Sequence, residues 1–160
     1  MSTLAPPVIL SADDRHLDAL MQVMRESFDP AWGEGWTRMQ LAGALSIDGA
    51  FARRALDAAE QPIGFSLSRI VLDEAELLLV AVSPHTRGRG LGSALLTQAL
   101  KDSRNRGANR MFLEVRENNQ AARNLYYSSG FFDIGKRPDY YSGKDGQRFP
   151  AITMQRNIID

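Results

Sequence analysis

The sequence predicts a single α+β domain over residues 1–160, with a central mixed, mostly antiparallel sheet of about six or seven strands flanked by about four helices. Three observations support this fold class. The length of 160 residues suits one domain with one sizeable core. Short apolar stretches bounded by turn residues are interspersed with stretches of helical periodicity. Their order is a strand, two helices, an antiparallel meander and then strand–helix units, which is typical of a mixed sheet covered by helices.

The chain begins with a strand at Val8 to Leu10, and Ser11 then offers an N-cap for the first helix. The apolar stripe of that helix has helical spacing and consists of Leu17, Leu20, Met21 and Met24. The segment from Phe28 to Gly35 contains Pro, Gly and Trp and is predicted to be a loop.

The second helix has a well-defined start at Thr37. Gln40 completes a capping box with Thr37. Trp36, just before the cap, is placed to pack on Leu41 as a hydrophobic staple.

The middle of the chain predicts an antiparallel meander. Two strands, Gly49 to Leu56 and Ile63 to Val71, are joined by a turn, and Asp73-Glu74 forms a second turn. The run from Leu77 to Val82 is apolar without alternation, so we expect a central strand covered on both faces.

The second half predicts strand–helix units. A helix from about Gly90 to Arg106 ends at Gly107, and its inward residues are predicted to be Leu91, Ala94, Leu95 and Ala99. A strand follows at Arg110 to Arg116. Asn118 or Asn119 then caps a short helix that stops at Gly130. The last two strands are expected at 132–137 and 151–156, on either side of a polar loop.

Composition excludes several classes of function. With 19 basic and 19 acidic residues, the chain has no net charge that would favour nucleic acid. It has no cysteine, and its two histidines, His16 and His85, are isolated, so we expect neither a thiolate nucleophile nor a bound metal. No signal peptide or membrane-spanning stretch is evident, which favours a cytoplasmic protein without a membrane partner. The oligomeric state stays open between monomer and homodimer.

The segment Arg87-Gly88-Arg89-Gly90-Leu91-Gly92 lies between an apolar strand and an amphipathic helix. Its glycines let a ligand approach the backbone, and the first amides of the helix point outward, so the pattern indicates a phosphate site. A glycine turn that serves packing alone is the alternative. Neither the lysine of an ATP-binding P-loop nor the glycine spacing of a dinucleotide fingerprint is present, because Ser93, Ala94 and Leu95 follow.

The pattern Arg-x-x-Gly-x-Gly at 87–92, after Val80-Ala81-Val82-x-Pro84, resembles the acetyl-CoA signature of the GNAT acetyltransferase superfamily. The segment Asn119-x-x-Ala-x-x-Leu-Tyr-x-x-x-Gly-Phe resembles the second half of the same cofactor site. Segments at 72–75, 113–119 and Arg137-x-x-Tyr-Tyr extend the likeness to the bacterial ribosomal-protein alanine N-acetyltransferases, the RimI type, over about Leu72 to Met154.

This resemblance implies the superfamily fold, with acetyl-CoA held between the splayed fourth and fifth strands. It implies that Glu114 is the proton acceptor and Tyr126 the proton donor. The cofactor contacts that it implies are Val80, Ala81, Val82, Arg87, Gly88, Arg89, Gly90, Gly92, Ser93 and Asn119. The implied acceptor is the free amino terminus of a protein such as a ribosomal protein. Differences from the type at 28–36 and at Pro150 leave a small amine or a lysine side chain as alternative acceptors. A non-catalytic acetyl-CoA-binding regulatory module is a separate alternative, and the presence of both Glu114 and Tyr126 argues against it.

The chemistry of the residues agrees with direct transfer. Without cysteine a covalent acyl-enzyme is not expected, so the bound amine attacks the thioester itself. An α-amino group, with an ordinary pKa of about 7.7 to 8.0, loses its proton more readily than lysine at about 10.4. Spacing alone leaves Glu114 open to being a surface carboxylate paired with Arg110 or Arg116, and leaves Glu74 and Glu76 as other bases.

Overall fold

A seven-stranded sheet with four α-helices forms the fold, in a computed structural model that describes residues 5–158. Along the chain the elements are β1 (Val8–Ala12), α1 (Leu17–Ser27), α2 (Arg38–Leu45), β2 (Ala50–Leu56), β3 (Pro62–Val71), β4 (Glu74–Val82), α3 (Leu91–Asn105), β5 (Arg110–Arg116), α4 (Gln120–Ser128), β6 (Phe132–Ser142) and β7 (Arg148–Asn157). The strand order is β1-β2-β3-β4-β5-β7-β6. Only the β4–β5 pair is parallel among these neighbours, with α3 as its crossover. The predicted fold class is confirmed.

The predicted N-cap of the first helix at Ser11 is wrong. Ser11 lies in β1 and pairs with Arg53 of β2. The chain turns two residues later, where the Asp13 carboxylate accepts the Arg15 amide at 3.0 Å and caps a short 3₁₀ turn, Asp14–His16, that leads into α1. A strand residue whose backbone is already paired in the sheet is not free to begin a helix.

The start of α2 agrees with the predicted capping box. The Gln40 amide donates to Thr37 Oγ1 at 3.2 Å, and the Thr37 amide donates to Gln40 Oε1 at 2.8 Å. Trp36 and Leu41 belong to the same apolar cluster, as the staple requires. This helix start is therefore fixed by residues that are local in the chain.

The sheet is covered on both faces. The cluster on one face lies beneath α3 and α4, and the cluster on the other lies beneath α1 and α2. Within α3, Leu91, Leu95 and Ala99 are buried as predicted, but Ala94 is exposed. The inward stripe continues through Leu96 and Leu100, and at 3.6 residues per turn Ala94 then falls on the opposite side of the helix.

Strand β4 is longer than predicted and is less uniformly buried. It begins at Glu74, and only every second side chain, from Ala75 to Ala81, is fully buried. The intervening Leu78, Val80 and Val82 are half-buried and border cavities. The run is apolar because its side chains pack against core clusters on both faces of the sheet, and Leu78, Val80 and Val82 also line the cavities.

The pairing of β3 with β4 is interrupted by a bulge. Leu67 pairs with Leu79, whereas Ser68 pairs with Leu77, so Leu78 has no partner in this register. As a result Leu77 joins the core cluster beneath α3 and α4, while Leu79 joins the one beneath α1 and α2.

Residues 1–4, where the sequence predicts no signal peptide, lie outside the described residues. Within residues 5–158, no helix has both the length and the apolar character needed to span a membrane.

Candidate active site

A cleft opens where β4 and β5 separate. Their parallel pairing runs from Glu74 opposite Arg110 to Leu77 opposite Leu113 and goes no further. Both strands continue, β4 to Val82 and β5 to Arg116. The backbone groups of β4 that face β5 therefore lose their strand partner beyond Leu77, and a strand edge of this kind is available to a ligand.

The cleft consists of two adjoining cavities. The first, here called the turn cavity, has a volume of about 630 Å³ and extends from Val80–Val82 past the turn 87–92. The second, the carboxylate cavity, has a volume of about 370 Å³ and is lined by Glu34, Glu76 and Glu114. The residues that border both cavities are Phe28, Glu34, Val80, Asn119, Ala122 and Leu125. Shared walls make the two cavities one continuous cleft.

The turn before α3 has the backbone that an anion site needs. Gly88 and Gly90 have φ values of +80° and +81°, and Gly90 is the N-cap of α3. A Cβ at either position would meet no atom within 4 Å, so the space over the turn is open. Ala94 is the first residue of α3 whose amide has a carbonyl acceptor in the described chain, Gly90 O at 3.0 Å. The preceding amides at 91–93 border the turn cavity.

The Arg87 side chain donates hydrogen bonds to two backbone carbonyls, which the sequence did not predict. Its Nε donates to Val82 O at 3.1 Å and its Nη2 donates to Ser27 O at 2.9 Å. The side chain thus ties the end of β4 to the end of α1, and it leaves a positive charge beside the turn. Arg89 is exposed and borders neither cavity, whereas Ser93 borders the turn cavity.

Glu114 projects from β5 into the carboxylate cavity. Met111, Leu113 and Val115 are buried on the other face of this strand, as their alternation predicts. The partners of the carboxylate are neither Arg110 nor Arg116. Arg137 Nε lies 3.1 Å from Glu114 Oε1, and the Thr153 hydroxyl donates to Oε2 at 2.7 Å.

Tyr126 lies on α4 at the wall of the same cavity, with 7% of its surface exposed. Burial raises the pKa of its hydroxyl above the ordinary value, and the negative charge of Glu34 raises it further. Its ring meets Phe131 edge to face, with 5.8 Å between centroids. A buried phenol of this kind stays protonated and can donate.

Two further tyrosines enter the cleft because β6 bulges. Between the pairs Arg137–Ala151 and Tyr141–Phe149, residues 138–140 of β6 stand opposite residue 150 alone. Asp139 takes a left-handed conformation there, with φ +56°. The bulge directs Tyr140 and Tyr141 to the carboxylate cavity, and the Tyr141 hydroxyl donates to Glu114 O at 3.3 Å.

The segment 28–36 forms the wall shared by the two cavities, held by a buried ion pair. Glu34 Oε1 lies 3.1 Å from Arg116 Nε, and these side chains are only 15% and 9% exposed. The Arg116 guanidinium also donates to Asn118 Oδ1 and stacks over the Trp32 ring, 4.0 Å from its centroid. Trp32 in turn packs edge-on against Phe149.

The structure brings most of the sequence-predicted residues together. The turn cavity is bordered by Val80, Ala81, Val82, Arg87, Gly88, Gly90, Gly92, Ser93 and Asn119. The carboxylate cavity is bordered by Glu114 and Tyr126, together with Val80 and Asn119. Asn119 also caps α4, accepting the Ala122 amide at 3.1 Å.

The other candidate bases lie in different surroundings. Glu74 pairs with Arg110 at 3.1 Å and borders neither cavity. Glu76 borders the carboxylate cavity but is paired with Arg69 at 3.0 Å.

Sequence reasoning missed the roles of Glu34, Arg116 and Thr153. Glu34 and Arg116 are 82 positions apart, and Thr153 follows Glu114 by 39 positions. The one available signal was Thr153 itself, a polar residue within the otherwise apolar run Ala151 to Met154.

Comparison with known proteins gives a consistent set of similarities. The family model described as acetyltransferase (GNAT) family matches residues 17–131. The chain is 39% identical over 141 residues to a [ribosomal protein bS18]-alanine N-acetyltransferase of Haemophilus ducreyi, covering 88% of this chain and 93% of that protein. It is 43% identical over 90 residues to the protein of that name from Escherichia coli K12, covering 56% of this chain and 60% of the relative.

Solved structures show the same fold. The crystal structure of the ribosomal-protein-S18-alanine N-acetyltransferase from Escherichia coli superposes with a TM-score of 0.85 at 30% identity, covering 97% of this chain and 96% of that one. Arabidopsis thaliana NAA60 in complex with acetyl-CoA superposes with a TM-score of 0.83 at 19% identity, covering 96% and 99%.

Proposed function

Because the chain belongs to the acetyltransferase (GNAT) family and is an acetyl-CoA-dependent N-acetyltransferase, we propose that its acceptor is the α-amino group of a protein, with ribosomal protein bS18 as the first candidate. One observation carries the proposal. The turn cavity, with its open glycine turn, adjoins the carboxylate cavity. Glu114 of β5 and Tyr126 of α4 both line the carboxylate cavity. A donor and an amine can therefore meet at the shared wall.

The turn cavity fits the elongated, anionic acetyl-CoA. The outward amides at 91–93 and the open space over Gly88 and Gly90 suit a pyrophosphate at the start of α3. The unpaired edge of β4 at Val80–Val82 suits the amide groups of pantetheine. Acetyl-CoA supplies an acetyl group activated as a thioester.

Glu114 and Tyr126 supply the proton transfers in this proposal. The Glu114 carboxylate accepts a proton from the ammonium of the acceptor, directly or through one water, and leaves the amine its lone pair. The Tyr126 hydroxyl, which is protonated at neutral pH, donates a proton to the departing sulfur. A backbone amide of Val80–Val82 polarises the acetyl carbonyl.

The carboxylate cavity favours an amine that arrives as a cation. Glu34, Glu76 and Glu114 border it. Each is paired with an arginine, Arg116, Arg69 and Arg137 respectively, but no lysine or arginine lines the cavity itself among the described residues. An α-ammonium, with an ordinary pKa near 8, then needs about two units less help from the base than a lysine side chain near 10.4. This difference supports an amino terminus as the acceptor over a lysine.

We further propose that the reaction takes place in the cytoplasm, since the acceptor named for the relatives is a ribosomal protein.

The acceptor itself is tested by mass-resolved acetylation with acetyl-CoA. The panel contains a peptide with the amino-terminal sequence of bS18, the same peptide with its α-amine blocked, and a small amine.

We expect one acetyl group on the free peptide and none on the blocked one, even though the blocked peptide retains its side chains. Acetylation of the blocked peptide at lysine would overturn the α-amine assignment. Acetylation of the small amine alone would transfer the assignment to a small-molecule acceptor. If acetyl-CoA binds and the free peptide is not modified, bS18 is overturned as the acceptor.

A further inference from the structure

Thr153 contacts the side chain that we assign as the base, although it borders neither cavity. Its hydroxyl donates to Glu114 Oε2 at 2.7 Å, which is the length expected of a hydrogen bond to a charged oxygen. Thr153 is half-buried on β7. The contact depends on the pairing of β5 with β7.

The sheet register produces this contact. Glu114 and Thr153 are directly opposite each other in the antiparallel β5–β7 pair, so their side chains share one face. On the outer side of Thr153 the register places Gly135 of β6, which has no side chain to compete for the hydroxyl.

The second partner of Glu114 is of a different kind. Arg137 Nε lies 3.1 Å from Oε1, but the Arg137 side chain is 62% exposed, whereas Glu114 is 15% exposed. A long exposed side chain moves aside at little cost, while a threonine within a paired strand does not. Thr153 thus fixes one carboxylate oxygen, and Oε1 is the oxygen that can be released to a substrate.

We propose that Thr153 is a positioning residue for the acetyl-transfer reaction: it orients Glu114 by holding Oε2, so that Oε1 takes the proton of the acceptor ammonium. In this step an N–H bond of the ammonium breaks, an O–H bond forms on Glu114, and the electron pair stays on nitrogen. The inference rests on the proposed function of Glu114. Thr153 itself touches neither substrate.

The test compares Thr153→Val, which removes the donor at nearly constant volume, with Thr153→Ser, which keeps it. Thr97→Val, on the exposed surface of α3, is the matched control. Thr153→Val should lower kcat about tenfold near pH 7, because the Glu114 carboxylate loses the donor that holds Oε2. Its KM for acetyl-CoA should stay within about twofold of the parent, since a residue outside both cavities does not affect cofactor binding.

Thr153→Ser should retain the parent kcat within about twofold. Equal impairment of the serine and valine variants would overturn the proposal, because packing would then explain the effect. A valine variant with parent kcat would overturn it as well.

A double-mutant comparison separates this proposal from the assignment of the base. In a Glu114→Gln background, Thr153→Val should have no further effect if threonine acts through Glu114. A further tenfold loss in that background would refute the positioning role. Full activity of Glu114→Gln across the pH range would instead show that Glu114 is not the base. An inactive Glu114→Gln together with an unimpaired Thr153→Val would overturn only the positioning role of Thr153.

Discussion

Replacing Gly90 with alanine tests whether the turn before α3 binds the pyrophosphate of acetyl-CoA. Gly90 has φ +81°, and a Cβ built there meets no atom within 4 Å. The substitution therefore causes no clash and costs only backbone strain. Gly107, at the other end of α3, has φ +91° and equally open space, so Gly107→Ala is a matched control remote from the cleft.

The expected loss of stability is the same for both variants. An alanine in the left-handed region costs about 1–2 kcal/mol. The smaller entropy of the unfolded chain offsets about 0.4–1 kcal/mol of that. A net loss of about 1 kcal/mol lowers Tm by about 2–4 °C in a chain of this length.

The two variants should differ in affinity for acetyl-CoA. If the strained turn at residue 90 relaxes, at least one amide loses its alignment with the pyrophosphate, and a charge-assisted hydrogen bond is worth about 1.5–3 kcal/mol. This corresponds to a tenfold or larger rise in Kd, since about 1.4 kcal/mol is a factor of ten. Gly90→Glu, which adds a carboxylate beside the phosphates, should abolish binding.

Isothermal titration calorimetry gives both Kd values, and thermal unfolding gives both Tm values. The reasoning is refuted if Gly90→Ala and Gly107→Ala bind acetyl-CoA equally well while showing the same loss in Tm. In that case the glycines serve only the left-handed backbone of the turn, and the pyrophosphate binds elsewhere.

Three further predictions concern the cleft and the core. Tyr126→Phe should lower kcat about a hundredfold with unchanged binding of CoA. The defect should shrink above about pH 8.5, where the departing sulfur is stable as a thiolate and needs no proton donor. A constant defect from pH 6 to 10 in a thiol-release assay would contradict the donor role. Arg116→Met should lower the free energy of unfolding by about 3 kcal/mol, because it leaves the buried Glu34 charge without a partner. Adding Glu34→Gln to that variant should recover part of the loss. Urea unfolding measures both effects, and no recovery would contradict a stabilising Glu34–Arg116 ion pair. Burial opposes ionisation of Asp102, but hydrogen bonds from Arg53 at 2.8 and 2.9 Å outweigh it and lower the pKa of Asp102. The Arg53–Asp102 pair therefore stabilises the fold fully above the ordinary carboxyl pKa of about 3.9. Its contribution is lost as the pH falls through the lower pKa of the folded state. Asp102→Asn should therefore cost about 2 kcal/mol at pH 7 and progressively less below about pH 4, and a pH-independent cost in urea unfolding from pH 7 to pH 2 would rule this out.

Features set by neighbouring residues were predictable from the sequence. The capping box at Thr37 and Gln40 and the glycine turn before α3 involve residues within a few positions of one another. The strand β5 also agrees in both bounds, Arg110–Arg116, because its alternation is regular and a helix cap follows it. Such patterns reflect local hydrogen bonds and side-chain periodicity, which depend little on the rest of the fold.

Several local predictions failed where tertiary contacts outweighed local preference. Ser11 was a reasonable helix cap until β1 paired with β2 and placed it in the sheet. Ala94 fits a helical stripe, but the orientation of α3 on the sheet is decided by the larger Leu96 and Leu100. The sequence also predicted an end to β6 at residue 137, whereas pairing with β7 resumes after a bulge at 138–140.

By itself the sequence determined the fold class, the glycine turn and the capping box of α2, since each depends on residue type and short-range spacing. Its resemblance to the GNAT acetyltransferases, rather than spacing, marked Glu114 and Tyr126 as candidates. Only the tertiary structure decided what surrounds those candidates. The Glu34–Arg116 pair and the Thr153–Glu114 hydrogen bond join residues 82 and 39 positions apart. Their existence depends on strand register and on where β4 and β5 separate, and a shift of one residue in either would turn these side chains to the opposite face.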